Sequence, residues 1–265
     1  TGGTESIRAG VFDLSGNPLA FASVTYPTNF PIPGWAEQNP EDWWNALGGA
    51  VRQAVIDANV GKQEILGICL DTTCCSVVAL DDAGNPLRPA LIWMDMRSAP
   101  QTEQVLATAD PALHVNSNGS GPVSAEWMIP KSLWIQQEEP EIFEKAETVC
   151  EFQDYLNLNL TGKRVASINN VSVRWHYGPG WGGWASSMVE NLGMPELLKK
   201  WPDTVLRLGE EIGGLTPNAG VHLDLPEGVP VLQGGADAFI GMIGLGVVNP
   251  GSLAFITGSS HLHLG

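Results

Sequence analysis

The residues best suited to chemistry lie near the end of the chain, in residues 231–265. A short apolar run, Val231-Leu232, ends in Gly234-Gly235, and two residues later stands a single carboxylate, Asp237. Leu253-Ala254-Phe255-Ile256 reads as a strand that feeds a hydroxyl-rich loop, Thr257-Gly258-Ser259-Ser260. A lone acid after a Gly-Gly turn, with such a loop downstream, suits an acceptor base beside a phosphate cradle. The same pattern also suits an Asp that caps an ordinary buried helix. Glycines and hydroxyls recur at the other end of the chain, in Thr1-Gly2-Gly3-Thr4-Glu5-Ser6. Midway, Asp71-Thr72-Thr73-Cys74-Cys75 and Trp93-Met94-Asp95-Met96-Arg97 place polar side chains at two candidate strand ends. Strand ends are where open α/β sheets meet their ligands. Asp95 and Arg97 fit a surface ion pair equally well.

Strands and helices at definite places must position these groups. Residues 7–14 and 19–26 read as two strands joined at Ser15-Gly16-Asn17, a hairpin. Asn39-Pro40-Glu41-Asp42 is a helix start, with a cap, a proline in the first turn and two acids at the positive end of the dipole. Trp44, Leu47, Val51, Val55 and Ala58 mark one face of that helix. Residues 65–70 are continuously apolar, as buried strands of α/β proteins are. A second hairpin is expected from residues 76–80, a turn at Asp81-Asp82-Ala83-Gly84-Asn85, and residues 87–93. Residues 98–160 read as mainly helical. One helix starts at Pro130-Lys131, Glu138-Glu139-Pro140 interrupts it, and another runs from Cys150 to Thr161-Gly162. Residues 215–230 read as a linker. The glycines at 241, 244 and 246 predict a helix whose backbone packs close to something, since each costs about 1 kcal/mol against alanine.

Lys+Arg number 13 against 29 Asp+Glu in 265 residues, a formal charge of −16, which argues against nucleic-acid and anionic-membrane partners. An acidic bulk does not exclude a nucleotide, because backbone N–H groups, a few basic residues and a metal ion can meet its phosphates. No apolar run approaches the roughly 20 residues a membrane-spanning helix needs. Cys69, Cys74, Cys75 and Cys150 have no metal-binding spacing, which leaves reduced thiols and a cytoplasmic location as the economical reading. Asn118, Asn159 and Asn170 match the glycosylation triplet, here read as coincidence. The absence of an initiator Met and the stop after a candidate loop suggest a truncated chain.

Together these motifs resemble the FGGY carbohydrate kinases along nearly the whole chain. The opening is similar to that family's Asp-x-Gly-Thr-x-Ser-x-Arg phosphate loop, with Gly3, Thr4, Ser6 and Arg8 matching. Thr1 stands where the family has an aspartate that helps with Mg²⁺, which puts metal binding in doubt and leaves the metal ligands unknown. The resemblance implies an α/β, actin-like ATPase (ribonuclease H-like) fold. It implies a first domain over 1–226 and the opening of a second over 227–265. It further implies that Asp237 is the catalytic base, and that Gly258, Ser259 and Ser260 hold ATP phosphates. The passage Leu-Arg-Pro-Ala-Leu-Ile-Trp-x-Asp-x-Arg resembles xylulose kinases, and Asp-x-Thr-x-Cys resembles ribulose kinases. Thr73, Cys74, Asp95, Arg97 and Arg174 would then face the sugar. The implied activity is ATP- and Mg²⁺-dependent phosphorylation of a pentulose or related polyol, with a homodimer as a further expectation. The rivals are an inactive kinase fragment and a non-catalytic sugar-binding protein. In the latter, Trp181, Trp184 and Trp201 would stack on sugar rather than pack into a core.

Overall fold

The computed structural model describes residues 1–115, 121–257 and 261–264. The chain opens with an antiparallel hairpin, β1 (Ser6–Phe12) and β2 (Pro18–Thr25). A short strand β3 (Glu37–Gln38) leads into helix α1 (Pro40–Ala58). The Asn39 side chain caps α1 by accepting from the Glu41 N–H at 3.1 Å, as the start signals predict. The buried face of α1 differs from expectation: Trp43, Ala46, Leu47, Ala50 and Ala54 point inward, while Trp44, Val51 and Ala58 are only half-buried. Trp43 turns inward to stack on Phe152, 3.8 Å between ring centres, while Trp44 stacks on His222 at 4.2 Å nearer the surface.

Next come β4 (Ile68–Cys69), β5 (Val77–Leu80) and β6 (Ala90–Leu91), then helices α2 (Ala99–Ala107), α3 (Met128–Glu138) and α4 (Pro140–Lys145). A strand hidden in the passage read as helical, β7 (Thr148–Glu151), precedes α5 (Phe152–Thr161), which Gly162 ends at φ 70°. After these follow β8 (Val165–Ser167), α6 (Ile168–Arg174), α7 (Ser186–Asn191), α8 (Leu197–Lys200), β9 (Thr204–Leu206) and β10 (Glu211–Gly214). The segment read as a linker contains α9 (Pro217–Leu223), capped by the Thr216 hydroxyl and buried through Ala219 and Leu223. The chain continues with β11 (Pro230–Leu232), α10 (Asp237–Gly244) and a hairpin of β12 (Ala254–Thr257) and β13 (His261–Leu264).

The sheet order β3-β6-β5-β7 is antiparallel throughout, whereas β10-β11-β4 joins β11 to β4 in parallel. Strand β5 is buried on both faces. Val78 and Leu80 enter a core with Ile7, Trp43, Phe152 and Leu156, while Val77 and Ala79 enter a second core with Met128, Leu133, Trp175 and Trp201. The two-residue period of a strand therefore divides one apolar run between two cores. The end of α10 and the residues after it bury little: Ile243, Leu245, Val248, Leu253 and Phe255 are all exposed. Among the described residues no helix is long and apolar enough to cross a membrane.

Candidate functional site

Three segments meet at Thr72, which is fully buried. On one side the Gly2 N–H donates to the Asp71 carbonyl at 2.7 Å and the Thr73 N–H donates to the Gly2 carbonyl at 2.8 Å. On the other, the Thr72 N–H reaches the Gly235 carbonyl at 3.3 Å and the Asp237 N–H donates to the Thr72 carbonyl at 2.8 Å. The opening loop, residues 71–73 and residues 235–237 thus run side by side. They do so because β4 and β11 are parallel neighbours, so both leave the sheet at the same edge. Gly234 makes this possible, since a Cβ there would lie 1.8 Å from the Leu70 carbonyl oxygen. Gly235 is similarly confined, 2.7 Å from the Asn169 amide oxygen. The close backbone packing expected of the glycine-rich helix is therefore found just upstream of it; a Cβ at Gly244 would meet nothing within 4 Å.

Asp237 is the first residue of α10 and does not cap it, for the cap position belongs to Ala236. One carboxylate oxygen, Oδ1, accepts from the Ala238 N–H at 2.7 Å, and Oδ2 has no hydrogen bond among the described residues. Burial raises the Asp237 pKa from its ordinary value and the charge of Asp71 adds to the rise, against the Ala238 hydrogen bond and Arg8. Asp71, which heads the Asp-x-Thr-x-Cys motif without a role of its own assigned from sequence, is thus an electrostatic neighbour of Asp237, and it is held by the Thr1 hydroxyl at 2.8 Å. Gly3 and Thr4 form a tight turn, with the Gly3 N–H donating to the Ser6 carbonyl at 2.9 Å and the Trp93 indole donating to the Thr4 hydroxyl at 3.1 Å. Exposed Arg8 reaches over this turn, its guanidinium 3.6 Å from where a Gly3 Cβ would lie. Gly258, Ser259 and Ser260 lie outside the described residues.

Thr73 and Cys74 are half-buried beside this junction, and Arg174 is an electrostatic neighbour of the Cys75 and Cys74 thiols. Burial acts to lower the Arg174 pKa, but the sulfurs of Cys75 and Cys74 outweigh it and the net shift is upward. Helix α6, which carries Arg174, also carries Asn169, whose amide oxygen accepts from the Ala236 N–H at 3.0 Å. It therefore bridges the Cys74 side and the Asp237 side of the site.

Asp95 and Arg97 do not form the surface pair considered above. Asp95 is fully buried and accepts from the Ala36 N–H at 2.6 Å and from Arg97 Nε and Nη2 at 2.9 and 2.8 Å. Arg97 also pairs with Glu37 at 2.8 Å and lies 3.7 Å from the centre of the Trp35 ring. Its Nη1 alone lacks a hydrogen-bond partner among the described residues. The tryptophans pack into the core: Trp201 is fully buried and stands 4.9 Å from Trp184, while the Trp181 indole donates to the His176 carbonyl at 2.8 Å. A cavity of about 690 Å³ between β1, α1 and residues 65–70 is walled by Val11, Val51, Ile68 and Leu70. Its mouth is rimmed by the polar Thr1, Arg8, Asp13 and Glu64, and Asp237 is not among its lining residues. Among the described residues no three His, Cys, Asp or Glu side chains converge as a metal site.

The profile of the FGGY family of carbohydrate kinases, N-terminal domain, matches residues 2–244. A ribulokinase of Shouchella clausii is 28% identical over 289 residues, covering 99% of this chain and 52% of its own. A human FGGY carbohydrate kinase domain-containing protein is 31% identical over 299 residues, covering 99% and 52%. The crystal structure of a xylulose kinase from Rhodospirillum rubrum superposes with a TM-score of 0.85 at 28% identity, over 96% of this chain and 51% of that one. The chain spans about half the length of these relatives. The fold is the α/β, actin-like ATPase fold of these kinases. With 243 consecutive positions (2 to 244) matched, this chain belongs to the FGGY family of carbohydrate kinases.

Proposed function

We propose that this chain supplies the acceptor side of an ATP-dependent kinase that transfers the γ-phosphoryl group to a hydroxyl of a pentulose, ribulose or xylulose, or a related polyol. The observation that carries this reading is the Thr72 junction, which sets the opening loop, the Thr73-Cys74 strand end and Asp237 side by side. In such transfers, positioning and electrostatics dominate over covalent chemistry by the protein. Asp237 would take the hydroxyl proton on Oδ2, its unbonded oxygen. A carboxylate whose pKa is raised from its ordinary value is a stronger base for that step. Thr73, Cys74 and Arg174 would line the sugar, with Arg97 offering Nη1 from a base fixed by Asp95. The burial of Trp201 and the packing of Trp181 and Trp184 count against a binding module built on exposed stacking platforms.

The phosphates of ATP fit the loop of Gly3, Thr4, Ser6 and Arg8, because exposed Arg8 makes no ion pair among the described residues. Gly258, Ser259 and Ser260 are proposed as a second phosphate loop from their sequence alone. Asp71 and Asp237 are oxygen donors whose mutual repulsion Mg²⁺ would relieve. When bound, MgATP supplies the phosphoryl group. We further propose that residues 227–265 begin a second domain; the exposed Leu245, Val248, Leu253 and Phe255 support it, as apolar surface awaiting cover. Four free cysteines fit a cytoplasmic location.

Steady-state kinetics of the complete enzyme on D-ribulose, L-ribulose, D-xylulose, ribitol and glycerol test the substrate class. A site built to pair hydroxyls strands its own polar groups on a shorter substrate, so the best pentulose should exceed glycerol by at least about a hundredfold in kcat/KM. Glycerol equal to the best five-carbon compound would overturn the pentulose reading, and no ATP-dependent transfer to any of them would overturn the kinase reading.

A further inference from the structure

The strand end that carries Thr73 and Cys74 is held from beneath by two buried charged side chains that the mechanism above does not use. Cys75, the next residue, is a non-glycine at φ 69°, in the left-handed region that an L side chain adopts only under constraint. Its N–H donates to Glu151 Oε2 at 3.2 Å, and its carbonyl accepts from Lys131 Nζ at 2.7 Å. Both charged residues are fully buried. Lys131 spends its remaining donors on the carbonyls of Ile92 at 2.7 Å and Leu91 at 3.4 Å, where β6 leads toward Asp95 and Arg97. Its three N–H bonds therefore tie the Cys75 turn to the second strand end of the site. The Glu151 carboxylate is itself fixed by the Trp175 indole at 2.7 Å and the Asn170 amide at 3.4 Å. Asn170 lies on α6 next to Asn169, the residue that holds Ala236 beside Asp237.

A buried lysine that meets only carbonyls, and a buried glutamate aimed at a loop N–H, are costly ways to stabilise a fold. They are economical ways to fix one peptide. We propose that Lys131 and Glu151 are positioning residues, which grip the carbonyl and the N–H of Cys75, hold it in the left-handed conformation and so set the direction in which Thr73 and Cys74 face the substrate. That this face meets a sugar rests on the function proposed above; the grip on Cys75 does not. Burial depresses the Lys131 pKa to about 8 and raises that of Glu151 to about 7, consistent with groups kept for their hydrogen bonds in a site that disfavours charge.

The test reads Cys74 directly. Per-cysteine alkylation by iodoacetamide, followed by mass spectrometry, should show Cys74 reacting at least about tenfold faster in Lys131→Met, with exposed Cys69 changed less than about twofold. Glycine takes the left-handed conformation without strain, so adding Cys75→Gly to Lys131→Met should bring the Cys74 rate back to within about threefold of Cys75→Gly alone. A role in bulk stability alone would lower the melting temperature without that local rescue. Glu151→Gln, which keeps the shape, should move Cys74 in the same direction by a smaller factor. Unchanged Cys74 reactivity in folded Lys131→Met, or failure of the glycine to rescue it, would overturn the proposal. Amide exchange in the unaltered chain needs no variant to fold: the Cys75 N–H should exchange as slowly as that of Val78 in β5, and exchange as fast as in the exposed loops would equally overturn it. In the complete enzyme a pentulose should protect Cys74 from alkylation. Absence of protection with the Cys75 amide still slow would count against the sugar reading and leave the grip standing.

Discussion

Two acidic strand ends of this molecule look alike in the sequence and end in opposite circumstances. Asp95 is fully buried, and both its oxygens are taken by Arg97 and the Ala36 N–H. Asp237 is half-buried, keeps one oxygen without a hydrogen bond among the described residues, and has the like charge of Asp71 for a neighbour. A carboxylate with every lone pair satisfied by an adjacent cation holds structure together. One raised in pKa, with an oxygen to spare, is equipped to accept a proton. The type of residue and its place at a strand end do not separate these roles; the partner does.

The comparison breaks if the two aspartates respond alike to substitution. Asp95→Ala leaves the Arg97 guanidinium buried without its partner and should cost about 3–5 kcal/mol in urea unfolding, enough to threaten the fold. Asp237→Asn, which removes a desolvated charge beside another carboxylate, should cost nothing in the same assay and serves as its control.

A second contrast is in pH. The folded pKa of Glu151, raised by burial from 4.5 to about 7, means that the folded state holds this proton more tightly than the unfolded chain. Its contribution is fully present below pH 4.5 and is lost as pH rises to about 7, a change on the order of 3 kcal/mol. Asp154 shifts in the same direction, also through burial first and Glu151 second. The stability of the unaltered chain should therefore fall relative to Glu151→Gln across this window, and parallel pH curves would contradict the burial of the Glu151 carboxyl. The smallest effect concerns the backbone that brings Asp237 to the junction. In Gly234→Ala the Cβ would meet the Leu70 carbonyl, so the parallel pair of β4 and β11 must shift, at about 1–3 kcal/mol. A Gly234→Ala variant as stable as the parent would mean that the two strand ends are not so closely apposed.

The sequence made α1 legible because its start is written in side chains: Asn39 caps, Pro40 has no N–H to lose, and two acids follow. Its buried face was misread because Trp43 and Trp44 both satisfy a helical period, and only Phe152, distant in sequence and stacked on Trp43, chooses between them. The two hairpin turns were legible for a local reason, since Asp13 and Asp81 each bond the backbone two and four residues on. Strand β7 was not: four residues ending in Glu151 carry no alternation, and their strand character comes from pairing with β5. Helix α9 was masked by its short length and its Thr-Pro start inside a loop-like passage. In the site, Asp237 and Gly234-Gly235 stood out, because a lone acid beside two glycines is unusual locally. Asp71, Lys131 and Glu151 did not, because what matters in each is a neighbour distant in sequence.

The central claim, that Asp237 accepts the proton while Asp95 holds the framework, is tested most directly by Asp237→Asn in the complete enzyme. Its kcat and melting temperature should be measured on the same preparation. The account predicts a fall in kcat of about 10²–10⁴, a KM for ATP within about twofold of the parent, and a melting temperature unchanged or higher. Near-normal kcat would contradict it and place the base elsewhere.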